Sequence, residues 1–149
     1  MKATDVIARD HRAAEALFEK FKAAAPEDQK SIEHELFAAL NVHELMEDTY
    51  FYPALNEKIE NDETLSALEV EQTKLKLEAM GTHALETIVG PNENRMERVM
   101  EKVLEHARKE EELIFPMAEE VLGAERLEEL GAEMEPKSAV AAQQKIDKE

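Results

Sequence analysis

Two segments of the 149-residue sequence share one pattern: a histidine, a glutamate four residues later and a proline six residues after that glutamate. They are HELMEDTYFYP at residues 43–53 and HARKEEELIFP at residues 106–116. On a helix, residues four apart point to the same side from successive turns, so each segment can present an imidazole nitrogen and a carboxylate oxygen together. Nitrogen and oxygen donors without sulfur suit iron or manganese, and also zinc. The repeated segment therefore predicts a metal site shared by two helices.

The composition limits the partners of such a site. The chain has 18 basic and 35 acidic residues, and its formal net charge of −17 would repel nucleic acid and anionic membrane surfaces. We therefore expect neither as a partner. The sequence has no cysteine, which excludes disulfides and thiolate ligands. The first residues, MKATDVIARDHR, lack the apolar core of a signal peptide, and no later segment is apolar enough to span a bilayer, so we expect a cytoplasmic protein.

Four long amphipathic stretches make up most of the chain, and short breaks rich in Pro, Gly, Asn or Asp separate them. Short connections between long helices predict an all-α, antiparallel up-down-up-down four-helix bundle. We expect a short fifth helix after Gly123, a bundle domain of residues 1–135, and a flexible tail at 136–149, which holds few large apolar residues. The four stretches are residues 4–23, 30–58, 63–89 and 93–122. We expect helix caps at Thr4 or Asp5, at Asp62, and at Asn92 or Asn94, and a kink at each proline of the two histidine-to-proline segments.

Depth along the bundle decides whether polar residues on the four inward faces meet. In an antiparallel hairpin, residues equally far from the turn lie at one level, because both helices rise about 1.5 Å per residue. His11 and His43 are equally far from a turn centred near residue 27, so we expect their rings to face each other. The two later turns bring further polar residues to this level. The predicted layer contains His11, His43, Glu47, Gln72, His106 and Glu110.

Such a layer is unfavourable as ordinary core. Buried carboxylates and imidazoles cost several kcal/mol unless they are paired or bound to a cation. A divalent metal would remove this cost, and facing helices that supply carboxylates and histidines are the arrangement by which helical bundles build dinuclear sites. The competing interpretation is a metal-free interaction module, in which the polar layer is a hydrogen-bond network that fixes the register of the helices.

The segment DHR at residues 10–12, together with the two histidine-to-proline segments on separate helices, resembles hemerythrin-like proteins, the HHE cation-binding domain family. The resemblance extends over residues 4–135. It implies a four-helix bundle with non-haem iron, either two ions with an oxo or hydroxo bridge or a single ion. It also implies a small oxidant as ligand, such as dioxygen, hydrogen peroxide or nitric oxide. By this resemblance the metal ligands are His11, His43, Glu47, His106 and Glu110, with the two glutamates as bridges.

The third helix departs from the family pattern. Where the family has histidines, this chain has Gln72 and Lys76, in EQTKLK. Gln72 could offer an amide oxygen, Glu69 or Glu71 could replace it, or the position could lack a protein ligand. A weakened second site argues against a reversible oxygen carrier and favours redox chemistry on a small oxidant, in oxidative-stress handling, or a mononuclear centre. The alternative is a metal-dependent oxygen or iron sensor, or a storage protein, without turnover.

Several neighbouring residues receive lesser roles. Glu44 is expected at a helix interface or the surface rather than on the metal, and Glu15 is expected at the surface although it also follows a histidine by four residues. Tyr50 is expected to pack near the site, where its hydroxyl could donate a hydrogen bond. His83 lies about 16 Å along the helix axis from the polar layer and is expected to be a core or capping residue. His34 is expected to be exposed.

Overall fold

The computed structural model describes residues 1–147, and every regular element in that range is helical, which confirms the all-α class. Within the described range, no helix is long and apolar enough to cross a membrane. The chain forms four long helical runs and a short C-terminal helix. The elements are α1 (Ala3–Ala23), α2 (Pro26–Met46), a first π turn (Glu47–Phe51), α3 (Tyr52–Lys58), α4 (Glu63–Val89), α5 (Glu93–Lys109), a second π turn (Glu110–Ile114), α6 (Phe115–Met134), a 3-10 turn (Glu135–Lys137) and α7 (Ala139–Asp147).

The starts of α4 and α5 are capped by side chains that the sequence predicts. Asp62 accepts a hydrogen bond from the Leu65 amide at 2.9 Å, and Asn92 accepts one from the Arg95 amide at 3.0 Å. Each bond satisfies an amide that no helical carbonyl can reach. Both turns are therefore fixed by local chemistry, which in turn fixes the depth of the residues on the helices that they join.

Two helix starts differ from the prediction. A cap at Thr4 or Asp5 is wrong, because α1 already begins at Ala3 and both residues lie inside it. The second helix begins at Pro26 rather than near residue 30. Proline is favourable at the start of a helix, since its missing amide hydrogen leaves no donor unbonded there. The break between the first two helices is therefore shorter than the sequence suggests.

Each histidine-to-proline segment contains a π turn that begins at its glutamate. The two turns are followed within two residues by Pro53 and Pro116. Proline has no amide hydrogen, so the carbonyl four residues earlier loses its α-helical partner, and the helix widens over that turn. The sequence predicts a kink just beyond the site. The structure has a widened turn there, which begins at Glu47 in one segment and at Glu110 in the other.

The polar layer separates two apolar clusters in the bundle. One cluster is built around Phe18, Phe21 and Leu36, near the first turn, and the other around Ile7 and Leu55, nearer the opposite end. On all four runs the polar positions fall between residues of the first cluster and residues of the second. The hydrophobic effect therefore stabilises the bundle on both sides of the layer. The buried polar side chains are held in place by packing that does not depend on them.

Contacts between helices run along the bundle in the expected order. α1 packs against α2, α4 against α5, and α2 against α4. Across the turn at Gly90, Glu78 pairs with Lys102 at 2.9 Å, and Glu71 pairs with Lys109 at 2.9 Å. Glu71 is further from the turn than Glu78 on α4, and Lys109 is further from it than Lys102 on α5. These pairs agree with antiparallel neighbours. The up-down-up-down order of the whole bundle stays a prediction.

The chain turns sharply at Gly123, the residue at which the sequence predicts the end of the fourth helix. Its φ of +76° lies in the left-handed region, which glycine adopts without steric cost. The residues from 124 to Met134 are helical again, and Leu127 and Leu130 are buried. This stretch is in the place expected for a short fifth helix.

The segment 136–149 begins against the bundle. Ser138 and Ala139 are buried, and the Ala139 amide donates a hydrogen bond to Asp10 at 2.9 Å. This contact differs from the expectation of a segment that does not pack firmly. The domain boundary at residue 135 and the flexibility of the tail stay predictions, and residues 148–149 lie outside the described residues.

A buried acidic group lies at the turn end of the bundle, away from the polar layer. Glu33 of α2 is 3% exposed, and among residues 1–147 its Oε2 has no hydrogen-bond partner. Its neighbour Glu86 is bound instead by Arg95, at 2.9 Å. Burial and the Glu86 charge raise the pKa of Glu33 to about 7, although Arg95 lowers it.

Replacing Glu33 with glutamine is expected to stabilise the protein at pH 8 and not at pH 4. The pKa of about 7 in the folded protein exceeds the ordinary value of 4.5, so the folded state holds this proton more tightly and wild-type stability falls as pH rises from about 4.5 through about 7. Glutamine removes that loss, worth about 1–3 kcal/mol. Urea unfolding at both pH values measures it, with Glu35→Gln on the same helix as the control. An equal effect of Glu33→Gln at both pH values would contradict the expectation.

Candidate metal centre

Four buried donor groups converge in the middle of the bundle. His11, His43, Glu47 and Glu110 each place one nitrogen or oxygen atom so that these atoms lie within 4.8 Å of one another. Each of the four residues is at most 9% exposed. His11 Nε2 is 3.2 Å from Glu110 Oε1, and His43 Nε2 is 3.2 Å from Glu47 Oε1. Two imidazoles and two carboxylates at this spacing suit a divalent cation.

Three helical runs position these four groups. His11 lies in the middle of α1 and His43 near the end of α2, while Glu47 and Glu110 are the first residues of the two π turns. The His11 and His43 rings stand edge to face with their centroids 4.9 Å apart. The predicted facing of these two histidines is confirmed. π turns within α-helices are frequent at functional sites, and here each one carries a candidate ligand.

Three atoms of this group form no hydrogen bond of good geometry within residues 1–147: His43 Nε2, Glu47 Oε2 and Glu110 Oε1. The contacts of His43 Nε2 and Glu110 Oε1 at 3.2 Å are ion-pair contacts without that geometry. Buried polar atoms are normally paired, and an unpaired one costs about 1–3 kcal/mol. Imidazole and carboxylate lone pairs share one class of partner that satisfies them together, a metal cation. The residues present therefore fit a metal ion.

Acidic side chains hold the outer nitrogen of two rings. Asp10 Oδ2 lies 2.9 Å from His43 Nδ1, and Glu71 Oε1 lies 2.8 Å from His106 Nδ1. In both cases the acid lies on the long helical run before the one that carries the ring. Asp10 directly precedes His11, and Glu71 directly precedes Gln72. A carboxylate that accepts from Nδ1–H orients the ring and leaves Nε2 toward the centre, as outer-shell carboxylates do at metal sites.

A second pair of acids repeats this relation for the other two polar residues. Glu111 Oε2 lies 3.0 Å from His11 Nδ1, and Asp48 Oδ1 accepts a hydrogen bond from the Gln72 amide nitrogen at 2.8 Å. Asp48 and Glu111 each follow the glutamate of their segment. The sequence repeat is therefore also a repeat of hydrogen bonds, in which Gln72 occupies the position that His11 has in the other half.

Tyr52 breaks this symmetry. Its hydroxyl donates a hydrogen bond to Glu110 Oε2 at 2.5 Å. The matching residue of the second segment is Phe115, which has no hydroxyl, so Glu47 has no equivalent donor from that position. Sequence reasoning pointed to Tyr50, which the structure packs, partly buried, against the apolar cluster. The two aligned segments differ here, with tyrosine at 52 and phenylalanine at 115, and this difference is the sequence feature that points to a polar role for Tyr52.

His106 and Gln72 line the same cavity but bond to each other. His106 Nε2 lies 3.1 Å from Gln72 Oε1, while Nδ1 faces Glu71. The amide oxygen thus engages Nε2, the ring nitrogen that a metal would need. Neither residue belongs to the converging group of four. Metal ligation by the six predicted residues stays a prediction.

The pKa values of the two glutamates of the centre shift in opposite directions. Burial raises the pKa of Glu47, and the neighbouring Glu110 carboxylate raises it further. Burial would also raise the pKa of Glu110, but the Glu47 carboxyl and the His11 ring hold it below its ordinary value. Burial would lower the pKa of His43, yet the nearby Glu47 and Asp10 carboxyls raise it. Such a carboxyl pair titrates as one unit, so the metal-free centre keeps a proton that a bound cation would displace.

A cavity of about 40 Å³ adjoins the centre. Its walls include His11, His43 and Glu47, together with Leu40, Leu75 and Val103. About 10–15 Å³ of such volume holds one water, so the cavity has room for a molecule as small as a diatomic or a peroxide. Glu44 lines both this cavity and the open groove between α2 and α4, at a helix interface as expected. Burial raises the pKa of Glu44 to about 7, although the His43 charge lowers it.

A family model, the hemerythrin HHE cation binding domain, matches residues 2–118. The chain belongs to this family. The matched range contains the converging group of four and the acids that hold its rings. No curated protein and no solved structure gives a significant match to the chain. The HHE match ends before Gly123, so α7, which contacts Asp10, lies outside the matched residues.

Proposed function

We propose that this HHE protein is a non-haem iron protein that binds or reacts with a small oxidant: dioxygen, hydrogen peroxide or nitric oxide. Its scaffold would be an antiparallel up-down-up-down bundle with a short fifth helix, and its role the handling of oxidative stress in the cytoplasm. The observation that supports the proposal is the buried group of His11, His43, Glu47 and Glu110, three of whose nitrogen and oxygen atoms form no hydrogen bond of good geometry within residues 1–147. The family match supports a cation at this position.

The residues around the centre have separate tasks in this proposal. Iron held there would supply an electrophilic, redox-active centre with a coordination position for the oxidant. Asp10 and Glu111 fix the two histidine rings through Nδ1, and Tyr52 fixes one carboxylate oxygen of Glu110. The walls formed by Leu40, Leu75 and Val103 keep bulk water away from the centre, so electrostatic interactions within it are strong.

The two halves of the proposed centre would hold iron unequally. His11 and His43 direct Nε2 toward Glu110 and Glu47, whereas His106 Nε2 meets the Gln72 oxygen. An ion bound next to His106 would have to displace that contact. We therefore propose one firmly held iron and a weaker second position, rather than the closed, histidine-rich pocket of a reversible oxygen carrier.

Metal content and oxidant consumption test this function together. Protein produced with added iron and purified without chelator is expected to retain about one iron per chain. It should melt at a higher temperature than the metal-free protein, because an ion bound only to the folded state stabilises it. The iron-loaded form is expected to consume hydrogen peroxide or nitric oxide, or to bind dioxygen with a change in absorption. Failure to retain iron would contradict the proposal.

A sensor is the second candidate function, and the contacts of Asp10 favour it. This carboxylate accepts from His43 Nδ1 and also from the Ala139 and Val140 amides at the start of α7, at 2.9 and 3.0 Å. One side chain thus links a candidate metal ligand to the C-terminal helix. A change at His43 on metal binding would reach α7 through two hydrogen bonds.

Hydrogen exchange distinguishes the sensor from the oxidant-consuming protein. If α7 reports metal binding, the Ala139 and Val140 amides are expected to exchange at least severalfold more slowly in the iron-loaded protein, because an ordered His43 also orders Asp10. The amides of residues 84–87, far from the centre, serve as the internal control. Equal exchange at Ala139 in both forms, together with oxidant consumption, would eliminate the sensor.

A further inference from the structure

A pair of histidines meets on the surface, away from the candidate metal centre. His83 Nε2 of α4 lies 2.9 Å from His34 Nδ1 of α2. His34 is exposed, as the sequence predicts, and His83 is partly exposed. His83 lies 11 residues after Gln72, about 16 Å along the helix, so the pair is separate from the polar layer.

The spacing of these two nitrogens suits a shared metal ion. Nitrogen–metal bonds to imidazole are about 2.0–2.1 Å, which places two nitrogens of one tetrahedral or square ion about 2.9–3.4 Å apart. In the metal-free pair, a single proton can lie between the two nitrogens, and an ion would replace it. The observed 2.9 Å is at the near end of this range, so binding requires little movement of either helix.

The His83 ring is held in place before any ion binds. Phe37, which is buried, stacks on it with ring centroids 4.6 Å apart and an angle of 18° between the planes. Burial and the neighbouring His34 both lower the pKa of His83, which favours the neutral ring that can donate a lone pair. A ligand fixed in orientation and neutral in charge loses little on metal binding.

The surroundings of the pair also favour a cation. The pair lines an open groove of about 360 Å³ between α2 and α4, and the thioether residue Met80 lines the same groove. Met80 is one turn before His83 on the same helix. The chain carries a net charge of −17, which raises the local concentration of cations in spite of Lys76 at the groove wall.

We propose that His34 and His83 form a second, solvent-facing metal site that takes a late first-row divalent ion, with Cu²⁺ bound more tightly than Zn²⁺. Imidazole nitrogen is a donor that such ions prefer, and Cu²⁺ leads the affinity order for a given site. Water would complete the coordination, because the groove is open. This site does not depend on the iron centre.

Copper titration of the iron-loaded protein tests the site. Electron paramagnetic resonance is expected to show one additional Cu²⁺ per chain, with nitrogen splitting from two imidazoles. His34→Ala and His83→Ala are each expected to weaken this binding at least about tenfold and to remove half of the nitrogen splitting. Asn41→Ala, in the same groove, is the matched control and should bind as wild type does.

Iron content measured after the titration keeps the two sites apart. The proposal expects iron to stay constant while copper binds, since the histidine pair lies outside the iron centre. Copper that binds only by releasing iron would overturn it, as would copper bound with equal affinity by wild type and both histidine variants. Both substitutions change side chains at the surface, and circular dichroism checks that the helices persist.

Discussion

Replacing Glu47 with glutamine is expected to weaken iron binding by at least about 100-fold while making the metal-free protein more stable. Glutamine keeps the shape of glutamate but lacks its negative charge, so the centre loses one of its two carboxylates. Without metal, Glu47 is 1% exposed, and its Oε2 has no hydrogen-bond partner in the described part of the chain. Removing a buried carboxyl beside Glu110 should therefore stabilise the fold by about 1–3 kcal/mol.

The two effects of Glu47→Gln are measured on the same protein preparation. Elemental analysis and iron titration give the metal content and affinity, and urea unfolding of chelator-treated protein gives the stability. Opposite signs identify Glu47 as a ligand whose burial is unfavourable without metal. A purely structural glutamate in a hydrogen-bond network would give the reverse, because its loss would destabilise the fold and leave any iron binding unchanged.

The sequence offers a matched control at Glu15. It follows His11 by four residues, the same spacing that relates Glu47 to His43. Its side chain is 43% exposed and pairs with Arg12 at 3.5 Å instead of facing the centre. Glu15→Gln is expected to leave both iron affinity and stability close to wild type. If Glu15→Gln lost as much iron as Glu47→Gln, the position of Glu47 in the centre would not explain the effect, and Glu47 would not be identified as a ligand.

The main-chain frame of the site was predictable because it depends on few variables. Helical rise and the positions of the turns place His11 opposite His43, and the structure has their rings 4.9 Å apart. Capping at Asp62 and Asn92 fixes two of the turns locally. Errors arose where another local rule applied. The proline that opens α2 at Pro26 extends that helix beyond its apolar pattern.

The side-chain bonding could not be derived in the same way. Depth brings Gln72 and His106 close together but does not say that the amide oxygen would take the ring nitrogen at 3.1 Å, since that depends on rotamers. The bond from Tyr52 to Glu110 depends on the π turn that precedes it, and helical periodicity does not contain that widening. Asp10, next to the predicted ligand His11, was overlooked as a support for another ring.

The histidine pair on the surface shows a similar limit. His34 and His83 are at similar distances from the turn between their helices, so depth alone would allow them to meet. Apolar periodicity assigns inward faces and gives no information about which flanking faces of α2 and α4 approach each other. The contact at 2.9 Å follows from the rotation of the two helices about their own axes, which only packing determines.

Replacing Gln72 with histidine is expected to raise iron content by about one ion per chain. In the half that contains His11, Glu111 holds Nδ1, and Nε2 faces Glu110. The equivalent acid for position 72 is already present, because Asp48 accepts a hydrogen bond from the Gln72 side chain at 2.8 Å. A histidine there would find the same support and point its other nitrogen toward the centre.

The substitution also changes His106. In wild type, the Gln72 oxygen lies 3.1 Å from His106 Nε2 and engages the nitrogen that the second ion would need. Histidine at position 72 removes this acceptor and adds a ligand, so both changes act in the same direction. Glu71 continues to hold His106 Nδ1 at 2.8 Å, which keeps the ring oriented for metal.

Gln72→Ala separates these two contributions. It frees His106 without adding a ligand, so its iron content is expected to lie between that of wild type and that of Gln72→His. Elemental analysis and Mössbauer spectroscopy of all three proteins distinguish an added ion from a rearranged one, since a coupled pair of irons gives a spectrum unlike that of an isolated ion. An unchanged number of irons per chain in Gln72→His would show that the Gln72 amide does not limit binding at the second iron position. The hydrogen bonds made by Asp48 and Glu71 would then need a role other than supporting metal ligands.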